Sequence, residues 1–366
     1  MVSGHAYPWD VLGDPAFPAR VANLGVDTVV LAAAYHSVRA ATPLHPSRRI
    51  VDAPYAALYR PVREPAWHGR RLVPAVPVWL SNQDPYGAAA AALRAAGLRV
   101  SAWVVLTHNT RLGTLNPDVA VVNCFGEPYR YALCPAHAEV RDYAALLAVE
   151  AVHGTDPDEV SLEACGQLGA GHASHHDKTG GAWSPRQAQL LSVCCCTACR
   201  ASWAALGLDP AAVVAALRRS TVDASVVDEA ALAALLAVRH RIAAELRAHV
   251  VAALREAAPR ARIVLHADPD PWATGPLPGL APGVAPDVDG LLVSCWSAGE
   301  ERVAAATATG LPVDAYVTVL DPADPAELPG RVKRLREAGA SRLSLYHLGL
   351  APPDRQRLLA SLAAVW

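Results

Sequence analysis

The groups best suited to chemistry fall in one stretch, from Asp158 to Cys199. It opens with a strand-forming run, Glu159-Val160-Ser161-Leu162, and ends on a carboxylate, Glu163. A carboxyl set between apolar Leu162 and Ala164 at a strand end should lose solvation and hold its proton to higher pH, as a general acid requires. The competing reading is a structural ion pair with an arginine of a long loop, such as Arg39. A glycine- and histidine-rich loop follows, with His172, His175 and His176. Their H-x-x-H-H spacing lacks the glutamate of H-E-x-x-H, which points to substrate contact or loop ordering rather than a catalytic metal. Beyond the loop a helical pattern begins near Ser184-Pro185 and carries Cys194, Cys195, Cys196 and Cys199. Cys194, Cys196 and Cys199 form C-x-C-x-x-C, and zinc wants four tetrahedral ligands. Cys134, in Leu133-Cys134-Pro135, is the best fourth thiolate for a structural zinc. Against this, free cysteine is also a small hydrophobe that fills helix faces.

The elements that would position these groups follow from apolar runs and their punctuation. Eight strands are expected near 5–9, 26–35, 99–107, 159–163, 262–267, 290–296, 313–319 and 342–347, most followed by a helix. This alternation predicts a parallel sheet with right-handed crossovers, and eight units predict closure. The expected fold class is α/β, a single (β/α)8 TIM barrel spanning 1–366 with long loops at 37–83 and 166–183. An open doubly wound sheet would want a G-x-G-x-x-G turn after an early strand, and none occurs there. A segment at Leu72–Trp79 reads as a strand outside the barrel.

Barrel active sites lie at the C-terminal strand ends. Those ends carry Asp10, Tyr35 and His36, His108 and Asn109, Glu163, His266 and Asp268, Cys295 and Trp296, Tyr316, and Tyr346 with His347. Aromatic faces for C–H surfaces and polar groups for hydroxyls together suit a sugar. The expected substrate contacts are Tyr35, His36, His108, Asn109, His172, His175, His266, Trp296, Tyr316 and His347. Taken singly, each histidine is as readily a satisfied structural residue.

The order Cys134, then Glu163 with Gly166 close behind, then Cys194, Cys196 and Cys199 resembles the zinc-containing β-galactosidases of glycoside hydrolase family 42 and related barrel hydrolases. The segment from Ala132 to Arg141 is also similar to one in uncharacterised barrel glycosidases. The resemblance implies that Glu163 is the acid/base and that the four cysteines hold a structural zinc, with no organic cofactor. The chain departs from that family in two places. The seventh strand, Val313 to Leu320, has no glutamate for a nucleophile, and Leu162 stands where the family has asparagine. Asp268, just past a strand end, is the preferred second carboxylate, followed by Glu300 and Asp10. Two other functions stay open: an inactive carbohydrate-binding barrel, and a metal-dependent hydrolase built on His36, His108, His266 and the loop histidines.

Composition narrows the partners. In 366 residues, 52% are hydrophobic and 18% charged, enough for a large core and against disorder. A formal charge of -2 gives no reason to expect nucleic acid or an anionic membrane. No charge-free apolar run reaches the ~18 residues of a transmembrane helix. Met1 to His5 lacks a basic region and an apolar core, so a cytoplasmic protein is expected. The expected partner is a small carbohydrate or glycoside, with homo-oligomeric assembly open. Half of the eight cysteines crowd into six positions, which suits a metal site better than disulfides.

Overall fold

The computed structural model describes the whole chain except residues 172–176, 180, 224–227, 285–286 and 298. Eight strands form a closed parallel barrel: β1 (Val2–Ala6), β2 (Thr28–Tyr35), β3 (Arg99–Val105), β4 (Glu159–Glu163), β5 (Arg262–His266), β6 (Gly290–Ser294), β7 (Val313–Thr318) and β8 (Arg342–Tyr346). Each pairs with its neighbours in sequence order. Closure comes from β1, which pairs with β2 (Ser3 opposite Thr28) and with β8 (Val2 opposite Leu343). A register shift between Ala32 and Ala34 bends β2 against β3. Below that bend the strand reads Thr-Val-Val-Leu and is buried throughout, as a parallel strand covered on both faces must be.

Side chains alternate across a strand, so every second residue faces the barrel axis. At the N-terminal end these are charged. Arg262 and Arg342 each bind Glu159 at 2.7 Å, and Asp314 faces the same two guanidiniums at 3.4 and 3.7 Å. Gly290 belongs to this layer, because a Cβ there would lie 2.0 Å from Arg262 Nη2. The middle layer is small and mixed: the Ser3 hydroxyl donates to that of Ser344, beside Ser161, Val264 and Leu292. The top layer holds His5, Trp103, Glu163, His266, Tyr316 and Tyr346. The strand sequences Glu-x-Ser-x-Glu and Arg-x-Val-x-His thus run from a salt-bridged base, through a packed waist, to a polar and aromatic mouth.

Helices cover the outside. Ala138–Val152 packs against the long helix Glu229–Ala257, whose N-terminus is capped by Asp228 Oδ1 accepting from the amides of Ala230 and Ala231.

Several expectations are corrected. The first strand is Val2–Ala6 rather than 5–9, because Pro8 starts a short helix, Pro8–Val11. Asp10 therefore sits on that helix and not at a strand end. Leu72–Trp79 forms no strand; only Ala75 makes an isolated bridge, to Ala57. The loop after β2 instead holds a hairpin, Val38–Ala41 with Ile50–Ala53, and a two-residue strand, Ala57–Leu58, antiparallel to the end of β2. The loop after β3 holds a helix, Thr110–Leu115, and a hairpin, Ala120–Val122 with Pro128–Leu133. The cysteine cluster is not carried on one helix. The chain turns between Pro185–Leu191 and Thr197–Ala204, since thiols on a continuous helix face could not converge on one point.

Candidate active site and metal centre

Glu163 closes β4 and points into the mouth. The next residue, Ala164, has φ of +55°, a left-handed turn that ends the strand. That turn is held from both sides: the Ala164 amide donates to the Pro276 carbonyl at 2.9 Å, and the Thr107 hydroxyl donates to the Ala164 carbonyl at 2.7 Å. The Trp103 indole N–H donates to Glu163 Oε2 at 2.7 Å, and His266 Nδ1 lies 3.8 Å from the same oxygen. Among the described residues these are the polar partners of Glu163, and neither Arg39 nor any other arginine is one of them. Burial pushes the Glu163 carboxyl up to about 8, against a lowering by the Trp103 bond. Burial thus favours the protonated, uncharged form of the carboxyl.

Aromatic rings surround it. His5, fully buried on the axis, packs edge-on to Trp103 and against Tyr316, both at 4.7 Å. Neither His5 nitrogen meets the geometry of a hydrogen bond, and burial lowers the imidazole to about 3, so it stays uncharged. His266 shares this environment and is held well below the usual histidine range by burial; its Nε2 lies 2.7 Å from the Ser161 hydroxyl. Burial raises the phenols of Tyr35 and Tyr316, and the charges of Tyr346 and Glu163 raise them further. Trp296, 42% exposed, packs at the rim against Tyr316 and Tyr346 at 5.7 and 5.1 Å.

The other expected residues are spread around this centre. His36 stacks between Tyr35 (4.1 Å) and His108 (4.5 Å) on the β2–β3 side. Asn109 is occupied: its Oδ1 caps the helix Thr110–Leu115 through the Leu112 amide, and its Nδ2 donates to Tyr143. His347 is fully buried, with Nδ1 accepting from the amides of Gly349 and Leu350. Asp268 follows β5; its Oδ1 accepts the Asp270 amide and its Oδ2 lies 3.7 Å from Arg302. The loop 276–279 joins its surroundings to those of Glu163, bonding the amide of Ala164 through Pro276 and that of Asp268 through Pro278. Asp10 is buried, accepts the Tyr7 amide at 2.8 Å, and is raised to about 7 by that burial. Glu300 is taken by Arg334 at 2.8 Å. His172, His175 and His176 lie outside the described residues.

His5, Tyr7 and Trp103 were not singled out from the sequence. A signal was available, since Ser101-x-Trp103 and Ser3-x-His5-x-Tyr7 share the period of Glu159-x-Ser161-x-Glu163 and must face the same axis.

Cys134, Cys194, Cys196 and Cys199 converge below the hairpin Ala120–Leu133, all buried, with every Sγ within 4.8 Å of the others. Cys134 lies 3.6 Å from Cys199 and 3.7 Å from Cys196. Four thiolates at ~2.3 Å around zinc stand about 3.8 Å apart, so this set fits a tetrahedral ion. The Cys199 amide also donates to Cys196 Sγ at 3.5 Å, and the neighbouring thiols Cys134, Cys194 and Cys199 hold Cys196 well below the usual range. Cys195 is not part of the group; its thiol turns to the Val193 carbonyl.

No family model and no curated protein matches the sequence. The fold has many counterparts among solved structures. It is similar to the glycoside hydrolase domain of PgaB (BpsB) from Bordetella bronchiseptica, with TM-score 0.61 and 16% identity over 98% of this chain and 97% of that one. It is likewise similar to the catalytic domain of β-amylase from Paenibacillus polymyxa, with TM-score 0.61 and 13% identity over 97% and 94%. The α-L-fucosidase isoenzyme 2 from Paenibacillus thiaminolyticus gives 0.60 and 13% over 99% of this chain, which spans about half (48%) of that protein. At these identities the likeness establishes a shared fold: this chain is a (β/α)8 barrel of the architecture used by glycoside hydrolases. No helix among the described residues is long and apolar enough to cross a membrane.

Proposed function

We propose that this chain is a glycoside hydrolase in which Glu163 protonates the leaving glycosidic oxygen. One observation carries the reading: the carboxyl at the end of β4, 5% exposed, is set in a floor of aromatic rings with the Trp103 indole as its hydrogen-bond donor, and that burial pushes it up to about 8. Trp103 fixes its orientation, leaving the proton-bearing oxygen to the sugar. Asp268 is the proposed second carboxylate, because it follows the neighbouring strand and shares the 276–279 loop with Glu163. It would activate water or attack the anomeric carbon, at separations of about 6.5–9.5 Å or ~5–5.5 Å respectively. The four cysteines are proposed to hold zinc, which would fasten the hairpin Ala120–Leu133 to the turn before Thr197 and take no part in the reaction.

The test is turnover of a panel of alkyl glycosides and unsubstituted oligosaccharides, whose leaving oxygens need a proton, by the wild type, Glu163→Gln and Asp268→Asn, with folding checked by circular dichroism. Loss of one positioned acid should cost about 10²–10⁴ in rate. Unchanged turnover by Glu163→Gln would end the reading. A second reading, a non-hydrolytic sugar-binding barrel, is favoured by one fact: β7, Val313–Thr318, carries no glutamate, and its one carboxylate, Asp314, faces Arg262 and Arg342 at the base of the barrel. Glycan binding without hydrolysis by the wild type would select it.

A further inference from the structure

A hollow lies away from the barrel axis, between the hairpin Ala120–Leu133 and the helices Pro185–Leu191 and Pro210–Val222. Its volume is about 520 Å3, within the range of ligand sites. Its walls are largely aromatic and aliphatic. Trp183 and Phe125 are 47% and 43% exposed, and Tyr129 stands at the back with its hydroxyl donating to the Leu191 carbonyl at 3.0 Å. Glu127 is the one ionisable wall residue besides that tyrosine. The Arg218 guanidinium stands over the Phe125 ring, 5.8 Å from its centroid, so the Trp183 indole and the other side of that phenyl are the surfaces left for the C–H faces of an uncharged sugar.

The position of the hollow says more than its composition. A continuous path of ring contacts leads to it from Glu163. Trp103, which holds the carboxyl, meets Tyr35 at 4.5 Å, and Tyr35 stacks on His36 at 4.1 Å. His36 stacks on His108 at 4.5 Å, and His108 meets Tyr131 edge-on at 6.0 Å. Tyr131 lies parallel to Tyr129, 6.0 Å away with 12° between the rings, and Tyr129 lines the hollow. On the opposite flank of Glu163 stand Tyr316, Tyr346 and the exposed Trp296. The rings nearest the carboxyl, Trp103, Tyr35 and Tyr316, are packed floor, whereas His36, Tyr131 and Tyr129 on one side and Tyr346 and Trp296 on the other keep part of their surface exposed, so a chain crossing the mouth would meet rings on both sides of Glu163.

Resting on the glycosidase reading, we propose that the substrate is an uncharged oligo- or polysaccharide laid across the barrel mouth, with a distal sugar held in the hollow against Trp183 and Phe125. The test is calorimetric titration of Glu163→Gln with gluco-, xylo-, manno- and chito-oligosaccharides of two to six residues, alongside wild-type turnover of aryl monoglycosides. One series should bind at least tenfold more tightly as hexamer than as dimer. Trp183→Ala and Phe125→Ala should each remove most of that gain, leaving dimer affinity and monoglycoside turnover unchanged; both side chains are solvent-exposed, so their truncation spares the core. Monoglycoside turnover with no dependence on chain length overturns the distal site and leaves the glycosidase reading standing. Chain-length-dependent binding that Trp183 and Phe125 govern, with no turnover of any glycoside by the wild type, keeps the site and overturns the glycosidase. A hollow that takes only fatty acids or apolar peptides in the same titration also overturns the proposal.

Discussion

Replacing Glu163 by glutamine should stabilise the protein while silencing it, and the gain should depend on pH. The carboxyl is taken from 4.5 to about 8 by burial. Below pH 4.5 it is protonated in the folded and unfolded chains alike, and contributes no pH dependence. Between 4.5 and 8 the unfolded chain sheds the proton and the folded chain keeps it, so rising pH favours unfolding. Above 8 both forms are ionised and the loss levels off. At ~1.36 kcal/mol per pH unit, the wild type gives up roughly 1 kcal/mol at pH 5, 3 kcal/mol at pH 7 and approaches 5 kcal/mol above pH 8. Glutamine keeps the shape and an acceptor for the Trp103 N–H but has no proton to lose. Urea unfolding midpoints of the two proteins, compared at pH 5, 7 and 8.5, should therefore diverge as pH rises. A difference that is the same at all three values would refute the reasoning, because it would mean that the carboxyl is well solvated in the folded state.

On the acid side His5, lowered to about 3, acts together with His266 and His347, which burial also holds well below the usual histidine range. Below pH 6.5 the unfolded chain takes a proton at each that the folded site refuses, costing ~1.36 kcal/mol per histidine per pH unit; His5→Gln should remove about a third of the histidine-linked fall in melting temperature between pH 6.5 and 4.5. Cys134→Ala should reduce zinc from one ion per chain to none by elemental analysis and lower the melting temperature by several degrees, whereas Cys195→Ala should keep the metal. At the short first helix, Gly349→Ala would bring a Cβ to 2.1–2.4 Å from the Asp10 carboxyl. Overpacking of this kind costs about 1–3 kcal/mol, read as a lower unfolding midpoint. In the basal layer, Glu159→Ala leaves Arg262 and Arg342 with Asp314 as their remaining carboxylate, at 3.4 and 3.7 Å; a loss of roughly 3 kcal/mol should appear as a lower urea unfolding midpoint.

The barrel was legible because its strands are short runs rich in Val, Leu and Ile, spaced by helical patterns and closed by turn residues, and helix Ala138–Val152 begins and ends where its pattern does. The short hairpins at 38–53 and 120–133 were not legible. Their three- to six-residue strands mix charged and apolar residues, and only pairing with a partner makes them regular. The first strand was displaced because His5, Tyr7 and Trp9 look like an alternating strand, while Pro8 and Asp10 organise a helical turn. At the mouth, Glu163 could be placed because a strand ends on it. Trp103 could not, because an indole inside a strand reads as core until the carboxyl opposite it is known. The distal hollow joins residues 123–129 to 183–222, and no local pattern announces a surface made by segments so far apart.

The floor of the mouth has a consequence for how such a protein can diversify. His5, Tyr7, Tyr35, Trp103, Glu163 and Tyr316 come from or next to five strands and are between 0 and 6% exposed, each packed on the others. Exchanging one ring for another size disturbs the packing that closes the barrel. Variation is therefore more accessible in the long segment at 37–83, outside the eight barrel strands, than in this packed floor.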